Sequence, residues 1–165
     1  MKDTLMNELA ERLGQFLLAR NMFLVTVESC TGGGLAEIIT RMPGSSRWFE
    51  RGFVTYSNDA KQELLGVNPD LLARCGAVSE ETVLAMAEGA LANSHAHISV
   101  AITGIAGPEG GTPEKPVGTV CIAWAGREMA PRSVGTVFQG DRLQVRRQAC
   151  LLALQGLIDI TESEK

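Results

Sequence analysis

From Leu24 to Gly34 the chain reads Leu-Val-Thr-Val-Glu-Ser-Cys-Thr-Gly-Gly-Gly, an apolar β-branched run halted by hydroxyls and three consecutive glycines. An amphipathic segment carrying Leu35, Ile38 and Ile39 follows at once. A strand that feeds a glycine-rich turn and then a helix aims backbone N–H groups and hydroxyls at the carboxyl edge of a sheet, where α/β proteins bind ligands. The ordinary alternative is a tight turn that needs glycine only for its backbone angles. Two further strand ends decide against treating this turn in isolation.

The rest of the chain alternates helical and strand patterns. Leu5, Leu9, Leu13, Phe16 and Leu17 recur at helical spacing and predict an amphipathic helix over 3–20. A strand is expected over 22–28 and a helix over 31–41, closed by Pro43-Gly44. Residues 52–57 predict the second strand, with Asn58 or Asp59 capping a helix that carries Lys61, Leu64 and Leu65. Asn68-Pro69-Asp70 starts a short helix, and Ser79 caps a longer one with Val83, Met86, Ala87 and Ala90 on one side. Residues 98–103 lack polar alternation, as a central parallel strand does. The glycine- and proline-rich stretch 104–118 predicts a long loop, functional or disordered. Residues 118–124 and 133–138 then read as an antiparallel pair, before a last helix over 141–160. Strands interleaved with helices predict an α/β fold, a three-layer α/β/α sandwich whose mixed sheet of five to six strands is parallel in its centre.

The 165 residues suffice for one domain over 1–165, and 45% hydrophobic with 21% charged residues is ordinary for a globular protein. A net charge of -4 and the lack of a Lys/Arg run argue against nucleic acid as partner. No apolar run reaches the ~20 residues of a membrane span, and the polar Met1-Lys2-Asp3-Thr4 start argues against a signal peptide. Cys30, Cys75, Cys121 and Cys150 are widely spaced, as reduced thiols of a cytoplasmic protein are, with no disulfide framework or zinc spacing.

If the strands run parallel, three polar turns share one edge of the sheet: Glu28 to Gly33, Tyr56 to Asp59, and Thr103 to Pro108. Hydroxyls, free N–H groups and a lysine would then meet in one crevice. The two histidines, His95 and His97, enter the 98–103 strand at the opposite end, which removes a Ser-His-Asp triad. What remains is a serine activated by a lysine. Ser29 directly follows the first strand, and the N–H groups of Thr31, Gly32 and Gly33 are candidates for an oxyanion hole or a phosphate cradle. Lys61 lies on the first turn of its helix, where burial and the helix N-terminus lower a lysine's pKa toward that of a useful base; a solvated helix lysine is the ordinary alternative. Glu28 either orients Lys61 or meets a ribose hydroxyl, or simply faces water at the strand edge. Cys30 lacks the nearby histidine a nucleophilic thiol needs and ranks below Ser29. Tyr56 is a packing aromatic, or stacks on substrate or relays a proton.

These residues resemble the CinA C-terminal domain family. The resemblance runs through Glu28-Ser29-Cys30-Thr31-Gly32-Gly33, the Gly44 to Lys61 stretch with Trp48, Tyr56, Ser57 and Asn58, Gly76-Ala77-Val78-Ser79-Glu80, Gly104-Ile105-Ala106-Gly107-Pro108, Lys115 to Val120, and Gly140-Asp141-Arg142 with Val145 and Arg146. It implies a nicotinamide-nucleotide amidase that needs no cofactor or metal and acts in pyridine-nucleotide salvage. Such enzymes convert nicotinamide mononucleotide to nicotinate mononucleotide and ammonia. It also implies a homo-oligomer. The implied Ser–Lys pair falls on Ser29 and Lys61, with Tyr56 and Glu28 beside them. The substrate then lies against Cys30, Thr31, Gly32, Gly33, Ser57, Asn58, Thr103, Gly104, Ala106, Gly107 and Arg142. Arg142 or Arg146 is a candidate for the 5′-phosphate, although an exposed helix face or a subunit contact is the ordinary role of both. Thr103 stands where enzymatic members often carry Ser, so a hydroxyl is kept. The family also holds stand-alone paralogues without amidase activity, which makes a non-catalytic nucleotide-binding or regulatory domain the alternative.

Overall fold

A computed structural model describes residues 2–163. Helix α1 (Lys2–Ala19) leads into strand β1 (Leu24–Glu28), helix α2 (Gly34–Thr40), a 3-10 turn (Ser45–Arg47) and strand β2 (Phe49–Val54). Three helices follow, α3 (Asn58–Leu65), α4 (Pro69–Cys75) and α5 (Glu80–Ala92). Strands β3 (Ile98–Gly104), β4 (Thr119–Gly126) and β5 (Met129–Val137) and helix α6 (Arg142–Ser163) complete the chain.

The five strands lie in the order β2-β1-β3-β4-β5. β2, β1 and β3 run parallel, while β3, β4 and β5 run antiparallel. Every residue of β1 is buried, as a strand covered on both faces must be. Alternation along the strands then sorts side chains into two cores. Leu24, Val100, Ile102 and Ile122 pack with α1, α2 and α6 on one face. Val25, Val27, Ala101 and Ala123 pack with α3, α4 and α5 on the other. This is the expected three-layer sandwich.

The connections explain where a crevice opens. From β1 the chain crosses by α2 on one face to reach β2; it returns by α3, α4 and α5 on the other face to reach β3, on the far side of β1. The loops leaving β1 and β3 therefore diverge, and a crevice opens at the carboxyl ends of those strands.

Several boundaries differ from those the sequence predicts. The second strand spans Phe49–Val54, not 52–57. Beyond Val54 the Thr55 N–H still bonds the Glu28 carbonyl, but Ser57 leaves the sheet to cap α3, its Oγ accepting from the Ala60 N–H at 3.0 Å. Ser57 is thus the cap, not Asn58 or Asp59. α2 begins at Gly34, three residues later than expected, because Gly32 (φ 59°) and Gly33 (φ 100°) have left-handed backbones that no helix accepts. β5 starts at Met129, and Pro131 is tolerated there because the strand is an edge.

Candidate active site

Alternation along β1 places Ser29 on the same face as Val25 and Val27, toward α3. Its N–H bonds the Ile102 carbonyl of β3 at 3.0 Å, which ties the turn to the neighbouring strand. On α3, Lys61 is 1% exposed and its side chain reaches back under the turn. Lys61 Nζ donates to Ser29 Oγ at 3.2 Å, to the Thr55 carbonyl at 2.7 Å and to the Tyr56 carbonyl at 3.4 Å. Loss of hydration on burial lowers its pKa below the ordinary lysine value. No carboxylate bonds the amine among the described residues, so nothing offsets that loss with a full counter-charge. A neutral amine at Lys61 would accept the Ser29 proton along the same contact.

Glu28 is buried, and its carboxylate accepts from the N–H groups of Leu35 at 2.8 Å and Ala36 at 3.1 Å. It satisfies the free amides at the start of α2 and makes no bond to Lys61. The strand end, the turn and the following helix are locked into one unit by that carboxylate. Within the turn, the Gly32 N–H bonds the Ser29 carbonyl and the Gly34 N–H bonds the Thr31 carbonyl. The N–H groups of Cys30, Thr31 and Gly33 have no acceptor among the described residues. Gly32 is therefore unavailable as a donor, whereas Thr31 and Gly33 stay free.

Arg142 and Arg146, on the first turns of α6, both reach the site rather than facing away. Arg142 donates to the Gly107 carbonyl at 2.8 Å and to the Tyr56 hydroxyl at 3.0 Å. It thereby ties the loop after β3 to the exposed ring of Tyr56. Arg146 donates to the carbonyls of Cys30 and Thr31, each at 3.1 Å. The long loop 105–118 is ordered. Ile105 and Gly118 bond across it to the start of β4 and to each other, and Lys115 Nζ donates to the Cys75 carbonyl at 2.9 Å.

These pieces enclose a cleft of about 270 Å³ whose wall includes Ser29, Lys61, Tyr56 and Arg142. Cys30, Thr103, Gly104, Ala106 and Gly107 also line it. Glu28, Thr31, Gly32, Gly33, Ser57 and Asn58 do not, and Ser57 has committed its hydroxyl to capping α3. Thr103 is buried and donates to the Ala77 carbonyl at 2.9 Å, so its hydroxyl braces the wall. Ala77, Val78 and Glu109 line the cleft although neither spacing nor residue type marks them. The only hints are the Gly76-Ala77-Val78 motif and the position of Glu109 inside the glycine-rich loop.

Cys30 is 5% exposed, and burial pushes its thiol up to about 11. At neutral pH it is a protonated thiol, which makes it a poor nucleophile beside Ser29. Among the described residues no three His, Cys, Asp or Glu side chains converge as a metal site would need. A larger hollow of about 540 Å³ lies at the opposite end of the sheet, between α1, the start of β3 and the β4–β5 turn, and contains His97. It holds no nucleophile paired with a base.

The chain is 54% identical over 152 residues to the nicotinamide-nucleotide amidohydrolase PncC of Pseudomonas putida, covering 92% of this chain and 94% of that protein. It is 52% identical over 157 residues to the protein of the same name from Escherichia coli K12, covering 95% of each. The crystal structure of the competence/damage inducible protein CihA from Agrobacterium tumefaciens superposes with a TM-score of 0.93 at 43% identity, over 94% of this chain and 95% of that one. The CinA C-terminal domain matches residues 6–161, nearly the whole sequence. A serine–lysine contact at the edge of this sheet thus sits in a chain that belongs to the CinA C-terminal domain family.

Proposed function

We propose that this chain is a nicotinamide-nucleotide amidase. It hydrolyses the carboxamide of nicotinamide mononucleotide to nicotinate mononucleotide and ammonia, a salvage reaction, with Ser29 as nucleophile and Lys61 as general base. The observation that carries this reading is the buried 3.2 Å contact between Lys61 Nζ and Ser29 Oγ. The names of the relatives at 52–54% identity supply the substrate class. Ser29 Oγ bonds to the amide carbon as its proton passes to neutral Lys61. The oxygen of the tetrahedral intermediate becomes an anion beside the free N–H of Cys30, the residue of the turn that lines the cleft. Collapse breaks the C–N bond, and the Lys61 ammonium returns its proton to the departing ammonia. Water, deprotonated by Lys61, then attacks the acyl carbon; the ester bond breaks, nicotinate mononucleotide leaves, and Lys61 returns the proton to Ser29 Oγ. Tyr56 offers the ring at the mouth a stacking face, and Arg142 offers the 5′-phosphate a guanidinium. Four free cysteines suit the reducing cytoplasm as the place of reaction, and a homo-oligomer belongs to the same proposal.

The test is ammonia release from purified protein given nicotinamide mononucleotide, with and without a chelator. Turnover that survives the chelator is expected, and Ser29→Ala and Lys61→Ala each reduce it at least about 10³-fold with the fold intact. Binding of the nucleotide without ammonia would instead make the crevice a non-catalytic nucleotide site.

A further inference from the structure

Tyr56 is bonded at both of its ends to charged groups of the cleft. Its backbone carbonyl accepts from Lys61 Nζ at 3.4 Å, and its hydroxyl accepts from Arg142 Nη2 at 3.0 Å. One residue thus reaches from the amine beside Ser29 to the guanidinium of Arg142. All four residues line the same cleft, where Tyr56 is 59% exposed. Packing therefore does not account for this tyrosine.

Arg142 is fixed at its base and at its tip. Asp141 and Gln144 form a capping box at the start of α6: the Gln144 N–H donates to the Asp141 carboxylate at 2.9 Å, and the Asp141 N–H to the Gln144 side-chain carbonyl at 2.8 Å. The Arg142 backbone between them is held in the first helical turn. At the tip, Nη1 donates to the Gly107 carbonyl at 2.8 Å and Nη2 to the Tyr56 hydroxyl. Two acceptors on two segments fix the plane of the guanidinium; one alone would let it swing. A guanidinium has five N–H groups, so three stay available. Both acceptors are neutral, and no carboxylate pairs with Arg142 among the described residues. The cleft wall thus carries an unpaired positive charge in a set orientation.

Resting on the amidase reading, we propose that Tyr56 is a positioning residue for phosphate recognition, acting through its hydroxyl on Arg142. The hydroxyl holds the guanidinium in a fixed relation to Ser29 and Lys61, so that a substrate whose amide lies at the serine finds its phosphate at the arginine. Stacking by the aromatic ring is a separate contact. An arginine already held in place loses less freedom when a phosphate binds, and only a phosphorylated substrate gains from that. Tyr56 is in this way a determinant of specificity for the nucleotide over the nucleoside.

The experiment compares wild type, Tyr56→Phe, Arg142→Met and the double variant on nicotinamide mononucleotide and on nicotinamide riboside, which lacks the phosphate. The readout is the ratio of kcat/KM for the two substrates, together with the ratio of their dissociation constants from calorimetry. Tyr56→Phe keeps the ring and is expected to lower the nucleotide-to-riboside ratio about threefold to tenfold. Arg142→Met is expected to lower it about tenfold to a hundredfold, because a charged partner of the phosphate is lost. In the Arg142→Met background Tyr56→Phe lowers the ratio no further. A ratio unchanged by Tyr56→Phe would overturn the proposal, and so would one unchanged by Arg142→Met. A kcat that falls equally on both substrates, with the ratio intact, would make Tyr56 a proton relay instead. A drop in the ratio that persists without Arg142 would make the hydroxyl a phosphate ligand in its own right and overturn the positioning role. A wild type that releases no ammonia would sink the amidase reading alone, since the dissociation constants still read the contribution of the phosphate.

Discussion

Lys61 is 1% exposed, and its amine meets only oxygens that carry no full charge. Burial lowers its pKa, and the neutral form is the one able to take a proton from Ser29. Turnover, measured as kcat/KM for ammonia release, is therefore expected to rise with pH along a single limb. The midpoint of that limb lies below the ordinary lysine value of about 10.4. The same shift leaves a mark on stability. Between the lowered pKa and about 10.4 the unfolded chain binds a proton at this position that the native chain does not, so stability rises with pH across that window. Lys61→Met should flatten the rise seen in urea melts at successive pH values. A limb in the carboxylate range would remove Lys61 as the base. Among single residues, Ser29 was legible because a hydroxyl right after a buried strand has few places to point. Glu28 was not. Its type allows it to orient a lysine or to cap a helix, and only the position of α2, whose amides it accepts, selects the second.

At the scale of elements, the site depends on how α3 is set against its neighbours. Ser57 starts the helix, Gly66 with φ 69° ends it, and Gly89 on α5 lets the Leu65 carbonyl come close. A Cβ at Gly89 would overlap that carbonyl, so Gly89→Ala must push α3, and Lys61 with it, away from Ser29. The expected result is a loss of about 1–3 kcal/mol in urea unfolding together with a lower kcat. Unchanged values of both would show that the two helices can slide without disturbing the site. Element existence was readable from periodicity, since every predicted helix and strand is present. Boundaries were less so. Thr55, Tyr56 and Ser57 have the composition of a strand continuing past Val54. Two carbonyls of that segment are instead turned to Lys61, a contact between chain segments that no local pattern announces.

Across the whole molecule, chemistry and stability are separated along the sheet. The carboxyl edge of β1 and β3 carries Ser29, the free amides of the turn and the ordered loop; the opposite edge carries His97, whose Nδ1 accepts from the Phe23 N–H at 2.9 Å. His97→Ala should leave turnover within about twofold of wild type while costing about 1–2 kcal/mol, because the Phe23 N–H loses its acceptor. A large drop in turnover would show that the two edges are coupled. Alternating apolar runs, glycine-rich turns and capping residues determined on their own that the chain would form a layered α/β sheet with its polar turns on one edge. Burial periodicity and backbone sterics act over a few residues and can be read there. Which groups meet at that edge was decided only when the strand order brought α3 under the first turn and α6 behind it. Lys61 and Ser29 are 32 positions apart, and Arg146 and Cys30 are 116. Contacts of that reach depend on how whole layers stack, which is a property of the packed core and of no single segment.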